Sequence, residues 1–487
     1  MSKNSFAWRI FLVALVLRLI PVLLTRSLGI GLDDMFQYDM LARSLVAGNG
    51  FRWYAADDLK KLEPYVDFDL SSVDYDPVRG VPTSFRAPLY PAFLAMIYSL
   101  TGAGLGRFFA ARLLQGGLNA TLAPLTYLVS RRLFPENKPA SVASAWVVAC
   151  YPLLIIYPIG LATENLFFVL LLVSCLCLLK IPDSRSSIPD YRLSLFYSLL
   201  SGFFLALTTL TRSVILPFAG LAILWTWFLL KQKRSAAFMA LTMLVMIAPW
   251  VARNSLLHHK LTGIESSMGY NLYVGYHPQS NGSFTFGVSL DLLSILDDAE
   301  RDQLGTQSAL EFIRADPGRV LPLAANRLGY FFGLEKRALM YFYSNNLLGY
   351  IPKPLLLAIA AVLLLPFVIV GTSAALGLAL TRHHPGSVLL SLLLFAYLLP
   401  HVLILAEDRF HLAILPFLAI LAAQAWTGGS SAFVARWRES WAGKITVGLA
   451  ILVVMLLFLN WGLELSGDAD KIAALLGPGG NRTYFPY

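Results

Sequence analysis

The sequence predicts an all-α polytopic membrane protein, a bundle of about eleven transmembrane helices with two long loops on one face. Composition is the first reason: 57% of the 487 residues are hydrophobic and only 14% are charged, against about a quarter charged in a soluble domain. Mean hydropathy is +0.64. The second reason is arrangement, because the apolar residues gather into runs of roughly 17–25 residues, the length that crosses a bilayer as a helix. The third is the placement of Lys and Arg, which collect at alternate connections between those runs.

The runs lie near 6–24, 108–130, 139–158, 164–180, 193–211, 213–230, 235–252, 354–380, 387–405, 409–427 and 445–463. Lys3 and Arg9 precede the first. Arg131, Arg132 and Lys138 follow the second, and Arg185 and Arg192 the fourth. Lys231, Lys233 and Arg234 follow the sixth, Arg382 the eighth, and Arg436, Arg438 and Lys444 the tenth. By the positive-inside rule these short connections share one side, with the N-terminus in the cytoplasm and the C-terminus outside. The net charge of +9 is then largely topological, and no basic stripe with interleaved aromatics marks a nucleic-acid surface. Cys150, Cys175 and Cys177 lie in apolar runs, so neither a disulfide framework nor a metal cluster follows. Arg18 interrupts the first run and no small-x-small site ends it, which argues against a cleaved signal peptide. At that depth Arg18 is expected to snorkel outward or to be paired inside the bundle.

Two connections are too long to be turns, 27–107 and 253–353, and the same rule places both outside. Acidic residues outnumber basic ones between 27 and 86. The apolar stretch after Arg86 is too brief to span and reads as an interfacial helix. The second loop holds two helix-like pieces, about 297–314 and 318–334, broken at Asp316-Pro317-Gly318; the second piece again looks interfacial. With no repeat and no low-complexity linker, residues 1–463 read as one transmembrane module with outward loops, and 464–487 as a short outer tail.

The candidate chemistry lies on that outer face. Asp33 and Asp34 follow the first run directly, and adjacent carboxylates near hydrocarbon must stay hydrated or find partners. One of them suits a general base on an acceptor hydroxyl, with its pKa tuned by its neighbour and by partial burial. Equally, both suit the capping of a helix starting near Met35, and one can cap while the other reacts. Arg86, Arg212, Arg253 and Arg409 sit at the outer membrane level, and a planar guanidinium fork fits a lipid-linked phosphate. Any one of them alone is better explained by snorkelling or by ordinary head groups; all four on the face that carries the Asp pair shift the balance. Glu164 opens a run from the outer side and can orient an acceptor, hold a metal or cap its helix.

No cofactor is named by the residues. His258-His259 and His383-His384 are adjacent pairs, His411 lies beside Glu407 and Asp408, and nothing has zinc-ligand spacing. A divalent ion held by carboxylates stays open. No Walker loop or dinucleotide turn is present, and the expectation is that any donor energy arrives already stored in a lipid phosphate.

Several stretches, in order, carry a resemblance. They are Asp34, Tyr38, Ala42-Arg43, Leu45, Gly48 and Gly50-Phe51; Arg86-Ala-Pro-Leu-Tyr-Pro; Ala111-Arg-Leu-Leu; Arg131-Arg-Leu-Phe; and Thr163-Glu164. They continue with Leu210-Thr-Arg212, Pro249-Trp-Val-Ala-Arg-Asn254, Gly269-Tyr-Asn-Leu-Tyr-Val-Gly275 and Glu407 through Pro416. The chain resembles the bacterial glycosyltransferase family 39 enzymes of the GT-C superfamily, which include protein O-mannosyltransferases and the lipid A aminoarabinose transferase. It looks closest to the lipopolysaccharide-core transferase-like branch. The resemblance implies an inner-membrane enzyme with a periplasmic active site, a polyprenyl-phosphate sugar as donor, and inverting transfer to a lipid or glycan hydroxyl. Aligned on Tyr38 and Gly48, the family's Asp falls on Asp34, which makes it the implied base ahead of Asp33. Arg86 stands where aminoarabinose transferases carry a basic residue before a Pro-Pro pair and would bind the lipid phosphate, although the pair here is Ala87-Pro88. Arg253 is the implied second phosphate ligand. The 253–353 loop is too short for the added luminal domain of protein mannosyltransferases.

Two other classes use similar chemistry. A transporter or flippase would show charged or broken helices at the bilayer midplane in repeated halves, whereas here the ionisable residues gather at one interface. A lipid-linked glycan polymerase or ligase would carry its catalytic residues in a late loop instead of the first.

Overall fold

The computed structural model describes residues 3–104, 106–182, 191–336 and 351–477. Arg185 and the last ten residues of the tail lie outside them. The protein is an all-α membrane bundle; its one sheet among the described residues pairs Arg52–Trp53 with Val81–Pro82 antiparallel.

Every apolar run is helical, but the runs are not equivalent. Seven form single helices long and apolar enough to cross a membrane: Ser5–Leu24, Arg192–Thr211, Lys233–Leu257, Lys353–Leu380, Pro385–Leu403, Leu415–Glu439 and Trp441–Gly467. The run at 139–158 is an eighth only as a pair, Lys138–Cys150 and Pro152–Ile159, bent by 53°. The other three depart from the expected single spans. The run at 108–130 divides into Arg107–Ala120 and Leu122–Leu133. Glu164–Leu178 has 15 residues, about 22 Å at 1.5 Å per residue, short of a hydrocarbon core about 30 Å thick. Ser213–Leu229 passes from a 3-10 turn through an α segment to a π turn.

The bend has a local cause and a remote compensation. Pro152 has no N–H, so the Val148 carbonyl loses its helical donor. Arg18, fully buried in the first helix, donates to Val148 O at 3.0 Å and to Ala149 O at 3.1 Å. Of the two expectations for Arg18, pairing inside the bundle is the one observed. The centre of the bundle is made by Glu164–Leu178, buried along nearly its whole length, and by the first half of Leu415–Glu439. Beyond Ala425 that second helix emerges and kinks at Gly429, whose φ of 60° favours glycine.

The two long loops fold together. Phe36, Met40, Leu41, Phe51, Trp53, Val81 and Phe85 of the first share one core with Tyr270, Val274, Val288, Leu292 and Leu296 of the second. Gly80 (φ 70°) closes the ribbon, where a Cβ would stand 2.0 Å from the Trp53 carbonyl oxygen. The stretch expected to be interfacial is the helix Leu89–Thr101. Its Tyr90, Leu94 and Tyr98 pack on the helix Asp34–Val46, while Leu100 is exposed. The two pieces of the second loop are Asp298–Ala315 and Val320–Phe331. Asp34–Val46 therefore lies between the core shared by the loops and the top of the bundle, and its first turn faces the region between them.

Candidate active site

Asp33 takes the capping role that the sequence offers to both aspartates. Asp33 is the N-cap: it has extended φ/ψ, and its Oδ1 accepts from Met35 N at 2.9 Å. Asp34 is the first helical residue, and its carboxylate, 44% exposed, forms an ion pair with Arg86. Gln37 is one turn further along the same face and accepts from Arg86 Nε at 2.8 Å. The guanidinium of Arg86 is thus held on one edge by residues i and i+3 of a single helix, and it stacks between Tyr38 (5.3 Å) and Phe85 (5.1 Å). The Tyr38 ring meets Tyr90 edge-on, and burial pushes its phenol up to about 12.

Arg86 ends a short strap that the second loop holds in place. Asp298 accepts from Thr83 Oγ1 at 2.5 Å and from Ser84 N at 2.7 Å. Ser84 Oγ contacts Ser266 Oγ at 2.8 Å and His258 Nε2 at 2.7 Å. Asp298 is itself paired with the buried Arg301, whose guanidinium lies 4.4 Å from the Phe85 ring.

Two further arginines reach the same region from distant parts of the chain. Arg409, on the 3-10 turn Asp408–Ala413, holds Glu407 at 2.7 Å and stands 4.0 Å from Asp34 Oδ2. Arg212, between Tyr191–Thr211 and the next turn, pairs with Glu164 at 2.5 Å. Its guanidinium lies over Phe167 and Phe410, which places it beside the Arg409 turn. Glu164 is in the first turn of its helix, one residue after the N-cap Thr163, and its carboxylate both clamps Arg212 and accepts its own backbone N–H. Desolvation alone would raise the Asp34 carboxyl; the Arg86 and Arg409 charges outweigh it and hold that carboxyl below the usual range.

Asp34, Arg86, Arg409, Arg212, Glu164 and Tyr38 therefore converge. Arg253 is used differently. It donates to Thr83 O at 2.5 Å and Phe51 O at 3.3 Å and lies over Trp250, so it braces the backbone before the strap. His411 also turns away from Glu407 and Asp408. It is stacked on Phe367 at 3.7 Å, with Nε2 2.9 Å from Glu335 inside the bundle. No group of three His, Cys, Asp or Glu side chains able to hold a metal occurs among the described residues.

Some residues of the site went unsingled in the sequence. Gln37 could have been found from its i+3 spacing to Asp34. Glu265, which accepts from Ser213 Oγ next to Arg212, and Asp298 carry no local signal, because each acts across a long gap in the chain.

No protein-family model matches the sequence, and no curated protein matches it. Solved structures do. The Archaeoglobus fulgidus oligosaccharyltransferase tethered to an acceptor peptide aligns with a TM-score of 0.48 at 15% identity, over 99% of this chain and 59% of that one. The same archaeal enzyme with an inhibitory peptide and a dolichol-phosphate gives 0.47 at 13%, over 99% and 60%. ArnT from Cupriavidus metallidurans bound to undecaprenyl phosphate gives 0.39 at 13%, over 89% and 80%. The chain spans about 59% of the length of the oligosaccharyltransferase, and at these scores no residue of those proteins is carried onto this one.

Proposed function

We propose that this chain is a GT-C-type membrane glycosyltransferase that moves a sugar from a polyprenyl-phosphate donor to a hydroxyl of a lipid or glycan acceptor, with inversion. The observation that carries the reading is Asp34: a half-exposed carboxylate paired with Arg86 of the first loop and 4.0 Å from Arg409 of a late turn, with the Arg212–Glu164 pair beside that turn. In this reading Asp34 takes the proton from the acceptor hydroxyl as its oxygen attacks the anomeric carbon. The bond from that carbon to the phosphate oxygen breaks on the opposite face, and the phosphate leaves with the electron pair. Arg86 and Arg409 stabilise the charge that develops there, with Arg212 behind them. A positioned base typically contributes 10²–10⁴-fold in rate, and fixed cations around a leaving oxyanion can contribute as much. Glu164 and Tyr38 line the acceptor side. Arg253 serves as a brace for the strap instead of a second phosphate ligand.

The same proposal sets the chain in the inner membrane, with the N-terminus cytoplasmic and the loops 27–107 and 253–353 periplasmic. The module is 1–463, followed by the tail 464–487. Chemistry on a substrate delivered by the membrane then takes place where the loop core meets the bundle.

The test is transfer from radiolabelled polyprenyl-phosphate sugars by purified protein in lipid, wild type beside Asp34→Asn, with cell-envelope acceptors supplied. Turnover in the wild type and its loss in the variant is the expected result. Equal turnover in both removes Asp34 from the role of base, and no turnover of any donor removes the transferase reading.

A further inference from the structure

The three arginines of the site are each already paired with a carboxylate of the chain: Arg86 with Asp34, Arg212 with Glu164, and Arg409 with Glu407. Three guanidiniums against three carboxylates leave no net positive charge with which to attract a phosphate. An anion arriving here has to take a cation from one of these pairs or share it.

Burial decides which pair can open. The carboxylates of Glu164 and Glu407 are 9% and 3% exposed, whereas that of Asp34 is 44% exposed. A buried carboxylate stripped of its cation keeps the full cost of an uncompensated charge, while an exposed one is rehydrated. The cheapest exchange is therefore at Arg86. Its geometry suits an exchange, because Gln37 holds Nε at 2.8 Å and the rings of Tyr38 and Phe85 flank the guanidinium. The group can change the partner of its outer nitrogen without moving away.

We infer that the donor phosphate and Asp34 compete for Arg86, so that seating the donor releases the Asp34 carboxylate to act as base. This rests on the transferase reading and deepens it. The pair is a latch on the base, and the reaction is ordered, with the donor bound before the acceptor hydroxyl can be deprotonated. No bond is made in the exchange; one ion pair replaces another.

The test uses polyprenyl phosphate as the probe and reads its binding to the full chain in lipid nanodiscs. The exchange requires Asp34→Asn to bind about tenfold more tightly than wild type, since the competitor for Arg86 is gone. It also requires that gain to vanish in an Arg86→Gln background. Asp34→Ser, a second neutral variant, should reproduce the gain, and an unchanged melting temperature shows that each variant is folded. Equal or weaker binding by both neutral variants overturns the exchange and leaves Asp34 free to be an ordinary base. A gain that persists with Arg86→Gln also overturns it, because simple charge repulsion then explains the effect. A wild type that binds no polyprenyl phosphate overturns the transferase reading, and the exchange with it.

Discussion

Asp298 and Ser84 are 214 positions apart, yet the Asp298 carboxylate accepts the Ser84 backbone N–H at 2.7 Å. That contact, with the one from Thr83 Oγ1, ties the second loop to the strap two residues before Arg86. The site is therefore assembled by packing one loop on the other, and Arg86 depends on a residue outside the site.

Asp298→Ala is expected to destabilise the protein by about 3–5 kcal/mol, because it leaves the buried Arg301 without its anion and the strap without its acceptor. Thr83→Val removes the charge-assisted hydrogen bond to Asp298, at about 1.5–3 kcal/mol, and the acceptor of the Phe85 N–H as well. Thermal unfolding in detergent measures both. Donor affinity should fall in Thr83→Val if the strap positions Arg86, and a variant with normal stability and normal affinity would deny the strap that role.

The two adjacent aspartates should separate cleanly. Asp33→Asn keeps a good cap and is expected to be nearly silent, while Asp33→Ala costs about 1 kcal/mol of helix stability. Asp34→Asn should lower the rate of transfer by about 10²–10⁴-fold, beside the smaller stability loss of a half-exposed ion pair, about 0–1 kcal/mol. Rates measured at saturating donor distinguish them; a rate loss in Asp33→Asn as large as in Asp34→Asn would move the base by one residue.

The pH profile follows from the charges around Asp34. Arg86 and Arg409 outweigh desolvation and hold its carboxyl below the ordinary value of about 3.9. A depressed folded-state value means that its contribution to stability is present above the unfolded value and is lost as pH falls through the folded one. For activity, the acid limb of kcat/KM for the donor reports the free enzyme and should lie below the usual carboxylate range. The limb of kcat reports the loaded enzyme, and the proposed transfer of Arg86 to the donor phosphate requires it to lie higher. Arg86→Gln should raise the kcat/KM limb as well, since desolvation is then less opposed. Coincident limbs in the wild type would speak against a change of partner.

How far the sequence reached is clearest residue by residue. The apolar runs announced the helices because burial in hydrocarbon forces every backbone group into internal hydrogen bonds. Asp34, Arg86, Arg212, Arg409 and Glu164 were all visible as charges at a membrane boundary, where a charge needs a reason. Their pairing was not visible. Glu407 stands two residues from Arg409 and Glu164 stands 48 from Arg212, and spacing alone treats these two partners very differently. Arg253 shows the reverse problem: on the line of the sequence it stands level with Arg86, and nothing there announces that its guanidinium donates to the carbonyls of Thr83 and Phe51. Runs of similar hydropathy likewise concealed the 53° bend and the 15-residue length of Glu164–Leu178.

Arg18 gives the sharpest test of the bundle itself. Pro152 deprives Val148 O of a donor, the bend exposes Ala149 O, and Arg18 supplies both through Nη2 and Nη1 while also returning a bond to Ala14 O. Arg18→Leu would match the hydrophobic surroundings, yet it leaves the Val148 and Ala149 carbonyls without this donor, at about 1–3 kcal/mol for each one that stays unsatisfied. Arg18→Lys keeps the charge but cannot span two carbonyls with a planar fork, so it should recover only part of the loss. Restoring the missing helical donor is the complementary change: Pro152→Ala returns an N–H to Val148 O, straightens the bend and lessens the need for Arg18. Melting temperatures should therefore fall strongly for Arg18→Leu, less for Arg18→Lys, and less for Arg18→Leu with Pro152→Ala than for Arg18→Leu alone. Additive losses in the double variant would mean that the bend and the arginine are independent, and that Arg18 is held in the bundle for another reason.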